Sequence, residues 1–349
     1  MQTRNIRHLN LKELESFFHS KGEPGFRAVQ VYDWLWKKSA RSFDEMTNLS
    51  KKIREILKES FVLEGAIIDY SQESNDGTVK NAVRLIDGKK VECVLIPAGK
   101  RITACVSSQV GCSLDCRFCA TAKLKRERNL TSDEIYDEVV FIQKQALEKF
   151  NTPLTNIVYM GMGEPLLNYA NVLDSIEKIT SPAGLNLSAK RITLSTAGIA
   201  KMIKKLGDDG VKFNLAVSLH AATDEKRDKI MPVNRAIPLK ELKESLRYFY
   251  NKTHSQISFE YIVFNDFNDT PEDAYRLAEF CKQVPSKVNL IEYNPIGEGG
   301  YRQTAPDKLN IFLKFMKNKG IITNVRRSRG KDIDAACGQL ANRVLQHQQ

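Results

Sequence analysis

From Arg101 onward the chain alternates short apolar runs with longer helical stretches, and this alternation constrains its fold more than any other feature. The apolar runs are ITACVSS, NIVYMGMG, RITLST, FNLAVSL, ISFEYIVF and KVNLIEY. Helical stretches such as TSDEIYDEVVFIQKQALEKF and LKELKESLRYFY separate them. Strands joined by crossover helices lie parallel in one sheet. About six such units predict an α/β fold, an incomplete (β/α)6 barrel or open parallel sheet, with TNVRRS as a further late strand. In these folds chemistry sits at the C-terminal ends of the strands. The candidate motifs fall there: Gly111 to Cys119, Gly161 to Pro165, Ser195 and Thr196, Ser218 to His220, and Asn294 with Pro295.

Residues 1–62 read differently. LKELESFFHSKG, AVQVYDWLWKK and SKKIREILKESF have helical spacing, and Gly22 ends the first. Lys37, Lys38, Lys51, Lys52 and Arg54 fall on polar faces, as on a solvated surface or an RNA-gripping module. Residues 63–97 change to period two. AIIDYSQES, VKNAVRLI and KVECVLIP read as strands, with hairpin signals at Asn75-Asp76-Gly77 and Asp87-Gly88. The expected organisation is a helical accessory domain (1–62), a β-hairpin linker (63–97), a parallel α/β core (98–331) and a C-terminal segment (332–349).

The balance of 53 Lys and Arg against 42 Asp and Glu gives a net charge of +11, which suits a polyanionic partner such as nucleic acid. No apolar run approaches the roughly 18 residues of a membrane span, and no apolar segment follows the N-terminal charges. A cytoplasmic protein without membrane contact is expected. The seven cysteines are an odd number, which argues against a disulfide scaffold.

Three of them, Cys112, Cys116 and Cys119, form C-x3-C-x2-C. Thiolates are the usual ligands of iron–sulfur clusters, and three can hold three irons of a cubane while leaving the fourth open. Structural zinc is the alternative, with His220 or Cys105 as a fourth ligand. Placement at the end of the first parallel strand favours the cluster. The motif, with Phe118 before the last cysteine, resembles the hallmark of the radical S-adenosylmethionine superfamily, as does Met160-Gly161-Met162-Gly163-Glu164-Pro165. The resemblance implies a [4Fe–4S] cluster on the three cysteines and S-adenosylmethionine cleaved to a carbon radical. A low-potential donor such as flavodoxin or ferredoxin would reduce the cluster.

Cys105 and Cys337 alone read as small buried hydrophobes, like Cys93 and Cys281. Cys337, however, follows the basic run Arg326, Arg327, Arg329 and Lys331, and positive charge favours a reactive thiolate. VECVLIP, CVSSQVGCSLDCRFCAT, RNLT, MGMGEPLLN, RITLST, SLHA, NP and DIDAACGQL resemble, in order, one family: the radical RNA adenosine-C2 methyltransferases of 23S rRNA and tRNA. That resemblance implies two S-adenosylmethionine molecules per turnover, one as methyl donor and one as radical source. Cys337 would carry the methyl group to adenine C2, Cys105 would release the product through a transient disulfide, and Glu92 would accept a proton. Adenine C2 is electron-poor, so a carbon radical can add where displacement fails. S-adenosylmethionine contacts carry over to Gly163, Glu164, Ser195, Ser218, Leu219, His220 and Asn294. A monomer acting on RNA is implied. The run from Ala120 to Arg128 departs from the family, which often has a glycine there; its cations could touch phosphate. Two other functions fit less of the sequence: the sister adenosine-C8 methylation, and a non-catalytic zinc-bound RNA-binding protein.

Overall fold

The computed structural model describes residues 4–297 and 300–342. Residues 1–3 and 343–349, the ends of the first and last expected segments, lie outside that range. Asn10 begins α1 (Leu11–Ser20): its side chain accepts from the Glu13 N–H, and the Glu13 carboxylate accepts from the Asn10 N–H. This reciprocal pair satisfies amides that a helix end leaves free. α2 (Phe26–Trp36) follows, and Ser50 caps α3 (Lys51–Ser60). Leu14, Phe18, Val31, Leu35, Ile53 and Leu57 are buried on the facing sides of these helices.

Next comes an antiparallel meander of β1 (Ile67–Glu73), β2 (Val79–Arg84), β3 (Lys90–Ala98) and β4 (Arg101–Val106). The two hairpin signals mark its first two turns. A two-residue ribbon, β5 (Gln109–Val110) with β6 (Arg128–Asn129), closes the base of the cysteine loop. The alternating region then runs α4 (Ser132–Phe150), β7 (Asn156–Tyr159), α5 (Tyr169–Thr180), β8 (Ile192–Thr196) and α6 (Ala200–Asp208). It continues with β9 (Asn214–Ser218), α7 (Asp224–Ile230), α8 (Leu239–Thr253), β10 (Ile257–Val263) and α9 (Pro271–Cys281). β11 (Ser286–Glu292), α10 (Pro306–Asn318) and β12 (Ile322–Arg326) complete it.

All strands except the ribbon form one sheet in the order β1-β2-β3-β4-β7-β8-β9-β10-β11-β12. From β4 to β12 every pairing is parallel, so the α/β fold expected from the alternation is present. The antiparallel strands do not stand apart as a linker. β3 pairs with β4, with Val94 opposite Cys105, and extends the same sheet.

Outward residues such as Ile157, Leu194, Leu215, Phe259 and Val288 are buried. Many inward residues are polar: Asn156, Thr193, Ser258, Glu260, Asn289 and Asn324, with apolar Val158, Ile262 and Ile291, line a cavity of about 830 Å³. Buried parallel strands are usually apolar on both faces, so a polar inner face marks an interior built for ligands rather than for packing.

The helical module docks on α4 through one buried carboxylate. Asp137 accepts from Arg7 Nη1 and Nη2 at 2.8 and 2.7 Å, from Arg41 at 3.0 Å and from the Ala66 N–H at 2.9 Å. Trp36 packs edge-on to Tyr136, with ring centroids 5.1 Å apart. Gly65 is required here, because a Cβ would lie 2.4 to 2.7 Å from the Arg41, Arg7 and Asp137 polar atoms.

Candidate active site

The loop carrying Cys112, Cys116 and Cys119 leaves the C-terminal end of β4 by way of β5. Backbone bonds hold it on several sides. Cys119 N–H donates to Cys116 O (3.2 Å), Arg117 N–H to Ile230 O (2.9 Å) and Ala120 N–H to Gly338 O (2.7 Å). All three cysteines line the cavity. Burial raises each thiol: Cys112 to about 11, Cys116 well above its usual value, and Cys119 upward. The three also raise one another, Cys116 through both others and Cys112 through Cys119. Such a group carries thiolates only when cationic charge arrives with them. Among the described residues no His, Cys, Asp or Glu group of three or more could hold a single metal ion. A cubane spreads its thiolates over separate irons, so the donor set and spacing fit a cluster better than tetrahedral zinc.

Beside this loop lies Glu164, a buried carboxylate with no cation paired to it among the described residues. Its Oε2 accepts from Ala197 N–H at 2.7 Å and its Oε1 from Leu166 N–H at 3.1 Å. Burial raises its pKa against those bonds. At Gly163, φ 95°, an added Cβ would lie 2.5 Å from Gln109 Cβ and 2.9 Å from its backbone N, so no larger residue fits. Ser195 and Ser218 face each other with hydroxyls 3.5 Å apart. His220 accepts from Ile262 N–H through Nδ1 at 3.0 Å, which puts its proton on Nε2. Burial, reinforced by Arg227, lowers its pKa to about 3, so the ring is neutral. Leu219 is buried, and its carbonyl accepts from Arg227 Nε at 3.2 Å. Asn294 donates to Cys337 O at 3.2 Å, while its Oδ1 is buried without a partner. A lone carboxylate, a hydroxyl pair and an unpartnered amide oxygen suit a ligand bearing an ammonium group and several hydroxyls, as S-adenosylmethionine does.

Cys105 on β4 and Cys337 both line the cavity and couple electrostatically. Cys105 is pushed up to about 12, first by burial and then by Cys337. Arg326 is the nearby cation: Cys337 is the leading cause of its raised pKa, and Cys105 contributes. Elsewhere in the basic run, Lys331 pairs with Glu292 at 3.0 Å, Arg329 approaches Asp76 at 3.9 Å, and Arg327 lines the cavity. Glu92 is not among the cavity-lining residues. Its Oε2 accepts from the Ala341 and Asn342 N–H groups at 2.8 and 3.1 Å, and Lys80 lies 3.5 Å away. In the basic loop, Arg128 is occupied by Glu134 (2.7 and 2.8 Å) and Asp87 (2.7 Å).

Two features escape sequence reasoning. Arg227 lies in DEKRDK, a run that reads as a solvated face, yet it is buried. It donates to Ala197 O, Leu219 O and Asn234 Oδ1 at 2.7, 3.2 and 2.7 Å, fastening two strand ends together. Glu260, Asn289 and Asn324 enter the cavity from mid-strand. Only their alternation with apolar neighbours in FEYIV, VNLI and TNVR hints at an inward polar face.

Comparison with known proteins agrees with this geometry. Residues 4–63 match the ribosomal RNA large subunit methyltransferase N-terminal domain, and residues 106–278 match the radical SAM superfamily. A probable dual-specificity RNA methyltransferase RlmN of Christiangramia forsetii is 59% identical over 340 residues, 97% of each chain. One of the same description from Cytophaga hutchinsonii is 60% identical, covering 96% of this chain and 92% of its own. A crystal structure of a radical SAM methyltransferase from Sphaerobacter thermophilus superposes with a TM-score of 0.91 at 37% identity, covering 97% of this chain and 99% of that one.

Proposed function

This chain belongs to the RlmN family of dual-specificity RNA methyltransferases, and on that premise we propose that it methylates C2 of an adenosine in 23S rRNA and in tRNA. The observation that carries the reading is that Cys105 and Cys337 line the same cavity as the three-cysteine loop and couple electrostatically. Cys112, Cys116 and Cys119 hold the cluster. Gly163, Glu164, Ser195, Ser218, Leu219, His220 and Asn294 hold S-adenosylmethionine, with Glu164 opposite its ammonium. When bound, the [4Fe–4S] cluster and S-adenosylmethionine supply a methyl group and the means to make a carbon radical of it.

The protein's own residues do the rest. Cys337 carries the carbon as a thioether and presents it to the base, which is a division of labour that an electron-poor aromatic carbon requires. Once that carbon is bonded to the base, protein and RNA are covalently joined. Cys105 attacks the Cys337 sulfur, an S–S bond forms, and the bond from sulfur to the transferred carbon breaks. Burial keeps Cys105 away from solvent, while Cys337 stays partly open to the cavity. The proton-acceptor role proposed for Glu92 requires the 340–342 segment to shift, because the Ala341 and Asn342 amides engage its carboxylate.

The target base has to leave its stack to reach so enclosed a site. Arg101, Arg327 and Arg329 at the cavity lining supply phosphate contacts in keeping with the net charge of +11. No helix among the described residues is long and apolar enough to cross a membrane, and we place the enzyme in the cytoplasm as a monomer served by a flavodoxin or ferredoxin. The test is anaerobic reconstitution with S-adenosylmethionine, a reductant and an rRNA fragment, followed by mass mapping of the base. 2-Methyladenosine is expected; 8-methyladenosine alone would move the chain to the sister reaction.

A further inference from the structure

One part of the cavity lining has no base-reading role in the scheme above. It is made by Glu260 on β10, Asn289 on β11 and Arg326 on β12. Glu260 pairs with Asn289 in register, and Arg326 stands one residue pair beyond the Leu290–Val325 step. Glu260 is 4% exposed. Asn289 Nδ2 donates to its Oε1 at 2.7 Å and so fixes the carboxylate, whereas Oε2 is buried and accepts no hydrogen bond. Arg326 Nη1 stands 3.6 Å from that oxygen and 3.3 Å from Met160 Sδ. Cys105 and Cys337 line the same cavity and couple electrostatically to the guanidinium. The guanidinium thus stands between the non-hydrogen-bonded carboxylate oxygen that it pairs with and the Met160 side, in a cavity that also holds the two thiols.

The Watson–Crick edge of adenine presents C2, then the N1 acceptor, then the N6 amino donor. We propose that Arg326 and Glu260 read this edge, the guanidinium donating to N1 and Glu260 Oε2 accepting from N6, which sets C2 against Cys337. This specificity site rests on the adenosine-methylating function above. It rejects guanine twice, by placing N1–H against a cation and O6 against a carboxylate. A buried acceptor left without a donor is costly, so a base lacking the amine is also refused.

The test uses the reconstituted full-length enzyme and two RNA hairpins, one with adenosine at the target position and one with purine riboside, which lacks N6. The readout is the ratio of kcat/KM for the two within each variant, so partial unfolding or incomplete loading cancels. Wild type is expected to favour adenosine by roughly 10- to 100-fold, the range of one good polar base contact. Glu260→Ala is expected to bring the ratio close to one through loss on adenosine. Glu260→Gln, which keeps the side chain's size, is expected to fall between. Retention of the wild-type ratio in both variants overturns the inference while methyl transfer to adenosine stands. A wild type that never methylates adenosine overturns the proposed function, and this inference with it.

Discussion

Arg326 lies among Cys337, Cys105 and Glu260, and that placement separates Cys337 from the other lone cysteines. Cys93 is buried with Asn81 as its nearest polar neighbour at 4.0 Å, and Cys281 is buried near Ser286. The three-cysteine group stood out because all three residues sit within one short loop at the end of the first parallel strand. Cys105 and Cys337 stood out only through resemblance, since it is the fold that brings them to one cavity. Arg227 was not legible at all: a cation in a run of charges gives no sign of the carbonyls it will meet. Replacing Cys112, Cys116 or Cys119 by Ala is expected to lower the iron of anaerobically reconstituted protein from about four per chain to below about one, as a cubane cannot be held by two thiolates. An iron assay with the visible spectrum checks this, and an unchanged brown protein in any single variant would point to different ligands.

At the scale of elements, the parallel strands follow from the alternation of apolar runs and helices. The joining of β3 to β4 could not be read, because a hairpin signal marks a turn and not the sheet that the hairpin enters. That joining sets Glu92, buried on β3, beside the β4 end, where Ser107 Oγ donates to its carbonyl at 2.7 Å. The docking of the helical module was equally hidden, since Arg7 and Asp137 are remote in sequence. Asp137→Ala leaves two guanidinium groups without their shared carboxylate in a buried contact. It is expected to destabilise the protein by about 3–5 kcal/mol, the usual cost of removing one partner of a buried pair. Chemical denaturation measures it, and a loss under about 1 kcal/mol, typical of an exposed pair, would mean that the module docks by apolar contact alone.

Across the whole molecule, an open sheet with a polar inner face leaves room for a cofactor and a base together. The C-terminal segment then crosses that opening. Its Gly338 and Leu340 carbonyls accept from Ala120 N–H (2.7 Å) and Thr121 Oγ1 (2.6 Å) on the cysteine loop. Farther back, Asp332 accepts from Ser74 Oγ at 2.5 Å and from the Asn75 N–H at 3.1 Å. The last cysteine of the chain is thus tied both to the cluster loop and to the first hairpin. Cys105 and Cys337 lie more than 200 residues apart in sequence, which is why neither announces itself locally.

The division of labour between those two thiols is tested most directly by Cys105→Ala, incubated anaerobically with S-adenosylmethionine, reductant and substrate RNA, then resolved on a denaturing gel and by intact mass. The expected result is a stable covalent protein–RNA species that disappears when Cys337 is also replaced by Ala. Free turnover by Cys105→Ala, with methylated RNA released and no adduct, would contradict it.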